Sequence, residues 1–115
     1  MGIVIISTYP DKKSVFKIAN IVVNQRLAAC VNYTKINSVY TWKGKIERTE
    51  EFLALFKTTK KAKQLLKKRI EKSHPYQVPE IIELRMDSVN RSYLAWLEDS
   101  TKRRKSKKRN NSTKR

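Results

Sequence analysis

Apolar positions along the chain fall into runs of two different periods, and the switches between them divide it into elements. Ile3, Val4, Ile5 and Ile6 form a short apolar run rich in β-branched residues, closed by Tyr9-Pro10; that is the pattern of a buried strand. Asp11 stands where a helix N-cap belongs, and Val15, Ile18, Ala19, Val22 and Arg26 follow at helical spacing, the first four as one apolar stripe. Leu27 to Trp42 and Ile46 to Thr58 read as two long strands. Gly44 lies between them and supplies the positive φ of a tight turn, so the pair reads as one extended hairpin. Thr58 or Thr59 is the expected cap of a second helix carrying Ala62, Leu65, Leu66, Arg69 and Ile70. His74-Pro75 ends that helix, because the proline ring opposes continuation and restricts the residue before it. Ile81, Ile82, Leu84 and Met86 make a last strand, and Asn90 or Ser92 caps a short helix with Tyr93, Trp96 and Leu97 on one face.

The resulting order, β-α-β-β-α-β plus a closing helix, is that of the ferredoxin-like split unit. It predicts an α+β domain with one antiparallel sheet and helices on one face. The other face stays bare in a single chain, and each arm of the hairpin is about twice the usual strand length of roughly 5–6 residues. A bare apolar sheet face and a protruding hairpin are association hazards unless other subunits cover them. Self-association is the expectation.

Length and charge refine this picture. The 115 residues fit one domain over 1–100, followed by a basic tail over 101–115. A single cysteine, Cys30, excludes an intramolecular disulfide and suits a reducing compartment; its apolar neighbours predict a buried, inert thiol. No signal peptide and no run long enough to span a bilayer is visible, so a cytoplasmic location is expected. The net charge is +17, and the tail, TKRRKSKKRNNSTKR, has no acid and no apolar residue. It is expected to be flexible. Lys102, Arg103, Arg104 and Lys105 head it and read either as an arm for nonspecific nucleic-acid contact or as a solvated end.

Candidate chemistry is sparse. His74 is the only histidine, at a helix end; it reads as a ligand for Cu(II) or Zn(II), or as a cap bonding nearby carbonyls. Glu47, Glu50 and Glu51 follow the hairpin turn, where carboxylates join a cation site or form cross-strand ion pairs. Tyr40, Trp42 and Tyr76 floor a ligand pocket between subunits or anchor the interface itself. With only two glycines there is no phosphate loop, and the segment Glu51 to Lys57 lacks the glycine pattern of an RNA-reading sheet. A catalytic role is not expected.

Four stretches carry a resemblance. Leu27-Ala28-Ala29-Cys30-Val31-Asn32, Tyr40-Thr41-Trp42-Lys43-Gly44-Lys45-Ile46-Glu47 and His74-Pro75-Tyr76-Gln77-Val78-Pro79-Glu80-Ile81 resemble the signature segments of the CutA family of divalent-cation tolerance proteins, and Tyr93-Leu94-Ala95-Trp96-Leu97 resembles its closing helix. The resemblance runs from about Ile3 to Ser100 and leaves out the tail. It implies a ferredoxin-like subunit in a tight homotrimer, similar in architecture to the PII signalling proteins, with a role in tolerance of copper and other divalent cations. It also implies that Glu47 and Glu51 line the cleft between subunits. The sequence departs from the family where some bacterial members are ascribed copper ligands: those positions are Ser7 and Ser73, and only His74 remains. Three expectations follow. One is a non-catalytic homotrimer with no required cofactor, taking Cu(II) or another divalent cation at His74, Glu47 and Glu51. The second is a PII-like trimer holding a small molecule or anion near Lys43, Lys45 and Arg85. The third is nucleic-acid association through the tail.

Overall fold

The computed structural model describes residues 1–103. The elements are β1 (Gly2–Tyr9), α1 (Lys12–Asn24), β2 (Cys30–Trp42), β3 (Lys45–Thr59), α2 (Lys63–Ser73), β4 (Ile82–Arg85) and α3 (Arg91–Ser100). The four strands form one antiparallel sheet in the order β2-β3-β1-β4, the ferredoxin-like arrangement predicted from element order.

Alternation along the strands separates the two sheet faces. Ile3, Ile5, Ala54 and Phe56 are buried and pack against Val15, Ile18 and Val22 of α1 and Leu66 and Ile70 of α2. The intervening residues point the other way. Val4 and Ile6 on β1, Leu53 and Leu55 on β3, and Ile82 and Leu84 on β4 are neighbours by register, with Ile6 between Leu55 and Ile82. All six remain half-buried or exposed. α3 covers only the far end of this face: Leu97 is fully buried, and any side chain at Gly2 would run into Met86 and Leu97. An apolar sheet surface is thus left open.

The hairpin extends well beyond the sheet. β2 and β3 pair from Cys30↔Lys57 to Trp42↔Lys45, whereas β1 accompanies β3 only from Thr59 to Phe52. From Glu51 to the tip the ribbon stands alone, roughly 20 Å at the usual rise per strand residue. It gives the molecule a long axis of 49 Å against 29 and 24 Å. Its tip turns through Lys43 (φ 50°) and Gly44 (φ 78°), and Val39, Tyr40, Trp42 and Ile46 are exposed along it.

Several boundaries differ from the sequence reading, each for a local reason. Asp11 caps α1 as expected, its Oδ1 accepting from the Ser14 amide at 2.8 Å. The helix nevertheless ends at Asn24, because Arg26 takes φ 61° and the Leu27 amide returns to the Val22 carbonyl at 2.9 Å. That closure buries Leu27 and Ala28 outside the sheet, so β2 begins at Cys30 and not at Leu27. Thr58 and Thr59 do not cap α2. They are the last residues of β3, where the Thr58 hydroxyl donates to the Leu27 carbonyl at 2.6 Å and Thr59 meets Thr101 at 3.2 Å. α2 starts at Lys63 behind Ala62, which offers no side-chain cap, and the side chain of Asn90, at the α3 N-cap, bonds Ser92 and not the helix backbone.

Candidate functional site

Pro75 takes the chain out of α2 at His74, whose extended backbone (φ −70°, ψ 134°) makes it the helix C-cap. The Tyr76 amide donates to His74 Nδ1 at 3.1 Å, so Nδ1 carries the lone pair and the ring proton lies on Nε2. Nε2 faces the Ser7 hydroxyl at 3.1 Å, with Ser7 fully buried. The imidazole stacks on Tyr9 (centroids 4.3 Å, 22° between planes) and tilts against Tyr76 at 5.3 Å. Tyr76 in turn donates its hydroxyl to Glu51 Oε2 at 2.6 Å. Glu51 is 7% exposed and is the first β3 residue beyond the end of β1. One polar chain, Ser7–His74–Tyr76–Glu51, thereby joins β1, the end of α2 and the root of the hairpin.

Burial sets the ionisation of this cluster. It pushes the Tyr9 hydroxyl well above the ordinary phenol value, with a hydrogen-bonding contact to Ser7 pulling part of the way back. Tyr76 is raised by burial first and then by the Glu51 carboxylate, with smaller effects of Tyr40 and Asp11. Burial also holds His74 below its ordinary value, against a backbone contact with Thr8 that raises it. A histidine held low binds protons more readily in the unfolded chain. Its contribution to stability is therefore present above 6.5 and lost as pH falls through the folded value. Melting followed by circular dichroism should show a temperature midpoint that drops on acidification toward about pH 5, with a shallower drop in His74→Asn. Equal slopes in both proteins would remove His74 from this balance.

The structure brings His74, Tyr76 and Glu51 together and adds Ser7 and Tyr9. Glu47 lies farther out, half-buried opposite Tyr40 on the free ribbon. Trp42 is at the tip beneath the Lys43 ammonium, 5.9 Å from the ring centroid. Ser73 does not face Ser7; its hydroxyl donates back to the Arg69 carbonyl at 2.9 Å. Cys30 is partly buried, not fully, with Sγ 3.6 Å from Asn32 Oδ1. Glu50 makes an exposed pair with Lys35 at 3.7 Å, as the ion-pair reading expected. Lys43 and Lys45 sit at the tip while Arg85 pairs with Ile3 at the opposite end of the sheet, so one chain does not assemble these cations. Lys102 and Arg103 follow α3 directly, and Arg104 and Lys105 lie outside the described residues.

Metal chemistry can be tested against this donor set. Among the described residues no group of three or more His, Cys, Asp or Glu side chains comes together. His74 offers no free lone pair as it stands, since Nδ1 accepts from Tyr76 and Nε2 bears the proton directed at Ser7. Glu51 already accepts from Tyr76. A hydroxyl and one engaged imidazole do not make the soft or multidentate set that holds Cu(II). Within a single chain the residues present do not fit a resident transition metal.

A ferredoxin-like α+β subunit with an open apolar sheet face, a free-standing hairpin and a helix-end histidine locked into a polar chain is the class of protein these features define. The chain belongs to the CutA1 divalent ion tolerance protein family, whose pattern it matches over residues 3–100. A divalent-cation tolerance protein CutA of Pyrococcus horikoshii is 41% identical over 88% of this chain and 99% of its own length. A chloroplastic protein CutA of Arabidopsis thaliana is 39% identical over 88% of this chain and 56% of its own. The solved structure of the periplasmic divalent cation tolerance protein CutA from Archaeoglobus fulgidus superposes with a TM-score of 0.85 at 28% identity, covering 89% of this chain and all of that one. Among the described residues no helix is long and apolar enough to cross a membrane.

Proposed function

We propose that the chain works as a non-catalytic homotrimer in divalent-cation tolerance, and that assembly, not a resident copper ion, organises its site. The observation that carries this reading is the open apolar face of Val4, Ile6, Leu53, Leu55, Ile82 and Leu84 beside a hairpin that leaves its own sheet at Glu51. Such a surface calls for partners, and a free ribbon with unpaired edges can extend a neighbour's sheet. Assembly would place Glu47, Tyr40 and Trp42 of one chain against another and make the carboxylates Glu47 and Glu51 the contacts for a hard divalent cation. His74 serves in this reading as the clasp that holds Tyr76 and Glu51 in place. A cytoplasmic setting fits the single free cysteine.

Titration calorimetry of the full chain with buffered Cu(II), beside His74→Ala, tests the reading. Weak and similar binding in both proteins is the expected outcome. A stoichiometric site present in the wild type and lost in His74→Ala would contradict it and make the imidazole a true ligand.

A further inference from the structure

The most concentrated charge on the body lies away from the His74 cluster, in a groove on the helical side. Two depressions of about 530 and 940 Å³ share Leu27, Leu65 and Arg103 along their walls and so run into one another. One wall is the end of α1 with its closing turn, the other is α2 and the residues leading into it, and Thr101–Arg103 form the rim. Lys68, Arg69 and Lys72 line one half and Lys60 and Lys61 the other; among the described residues Glu98 is the only acid on the lining.

The groove is built rather than accidental in three respects. The cations of α2 are divided between two directions: Lys63 and Lys67 bond Glu83 of β4 at 2.6 and 2.7 Å, while Lys68 and Lys72, one helical turn apart, stay exposed in the groove. That turn separates them by about 6 Å of rise. Arg26 fixes the rim, its guanidinium donating to the carbonyls of Asp99 (2.6 Å) and Lys102. Within the groove, Arg69 Nε is a buried donor with no partner among the described residues, an unmet demand for an acceptor.

From these features we infer that the α1–α2 groove is a binding surface for a nucleic-acid backbone. Charge density selects this partner. Lys60, Lys61, Lys68, Arg69, Lys72 and Arg103 line one groove, and a partner that matches them together must carry closely and regularly spaced negative charge. Duplex nucleic acid presents one charge per roughly 1.7 Å. An acidic protein would need a large apolar or aromatic anchor site, for which the described lining offers only Met1, Leu27, Leu65 and Ala62. A lipid surface would need a continuous apolar helix face beside the cations; here the stripes Val15–Ile18–Val22 and Leu66–Ile70 are turned into the core, and Phe16, Val23 and Leu65 are exposed singly. Among the described residues no aromatic side chain lines the groove, so contacts fall on phosphates and not on bases, and recognition is sequence-independent. The half of the groove lined by Lys68, Arg69 and Lys72 lies on the α1–α2 side of the sheet, and the inference does not depend on the cation-tolerance reading.

The test uses fluorescence anisotropy of the full chain with a labelled DNA duplex over a range of salt concentrations, for the wild type, Lys68→Ala/Lys72→Ala and Lys43→Ala/Lys45→Ala. The last removes the same charge from the hairpin tip. The groove variant should bind about tenfold more weakly at moderate salt, with a salt slope shallower by about two, while the tip variant stays close to wild type. Equal losses in both variants would mean diffuse net charge and overturn the inference. So would an unchanged groove variant, which would assign any binding to the segment after Arg103 alone. Equal affinity for an acidic peptide or for anionic vesicles, measured by competition, would overturn nucleic acid as the occupant.

Discussion

If the chain assembles as proposed, Leu55→Glu is expected to leave single chains. Leu55 stands at the centre of the open sheet face, opposite Ile6 on one side and Asn32 on the other, with Ile82 one strand further on. In a lone chain it is only half-buried, so a carboxylate there can reach water and the subunit still folds. Covered by a neighbour, the same carboxylate is buried among Val4, Ile6, Leu53, Ile82 and Leu84, while Lys57, two residues along β3, is held over the Tyr93 ring. An uncompensated buried charge costs on the order of 3–5 kcal/mol, which at about 1.4 kcal/mol per tenfold weakens association more than a hundredfold. Sedimentation velocity at micromolar concentration would read the change, with Lys17→Glu on the exposed side of α1 as the control. A variant that sediments like the wild type would place the interface elsewhere.

The second large effect concerns Tyr76→Phe. Removing the hydroxyl leaves Glu51, 7% exposed, without the 2.6 Å bond that satisfies it. Hydrogen bonds to charged groups contribute about 1.5–3 kcal/mol, and a buried carboxylate stripped of its partner sits at the upper end. Urea unfolding at fixed protein concentration should show a lower midpoint with an unchanged slope. Glu51→Gln combined with Tyr76→Phe should recover part of the loss, because the two residues act on one bond. Tyr9→Phe supplies the contrast: its buried hydroxyl meets only the neutral hydroxyl of Ser7, so deleting it should cost less than deleting that of Tyr76. Equal losses in Tyr76→Phe and Tyr9→Phe would mean that the bond to Glu51 does not set the stability of this cluster.

Much of the fold was legible because the chain keeps its periods clean. Ile3 and Ile5 alternate with Val4 and Ile6, the Val15–Ile18–Ala19–Val22 stripe meets the sheet as a single face, and Gly44 and Pro75 punctuate where their backbones require. The misplaced boundaries have two causes. Leu27 and Ala28 are apolar and read as strand, but a local closure onto the Val22 carbonyl, five residues back, buries them in a loop. Thr58 and Thr59 read as caps because hydroxyls favour helix starts, yet their partners, Leu27 and Thr101, are 31 and 42 residues away.

Long-range pairing also limits what the sequence discloses of the site. His74 drew attention as the lone histidine, but its role is decided by Ser7, 67 residues earlier, and by Tyr9, which looked like nothing more than a strand end. Period-two counting does put Ser7 and Tyr9 on the same buried face as Ile3 and Ile5, and a polar pair on an apolar face was the available signal. The Tyr76–Glu51 bond had none, since neither residue's spacing points to the other. Self-association was read from the bare face and the long hairpin, and both features are present in the fold; the number three came only from the family resemblance.

Sedimentation equilibrium of the full chain across the low micromolar range tests the central claim most directly. The account predicts a single species with the mass of three 13.5 kDa chains, maintained on dilution. A stable monomer at those concentrations would contradict it, because the open face of Ile6, Leu55 and Ile82 and the free ribbon beyond Glu51 would then need no partner.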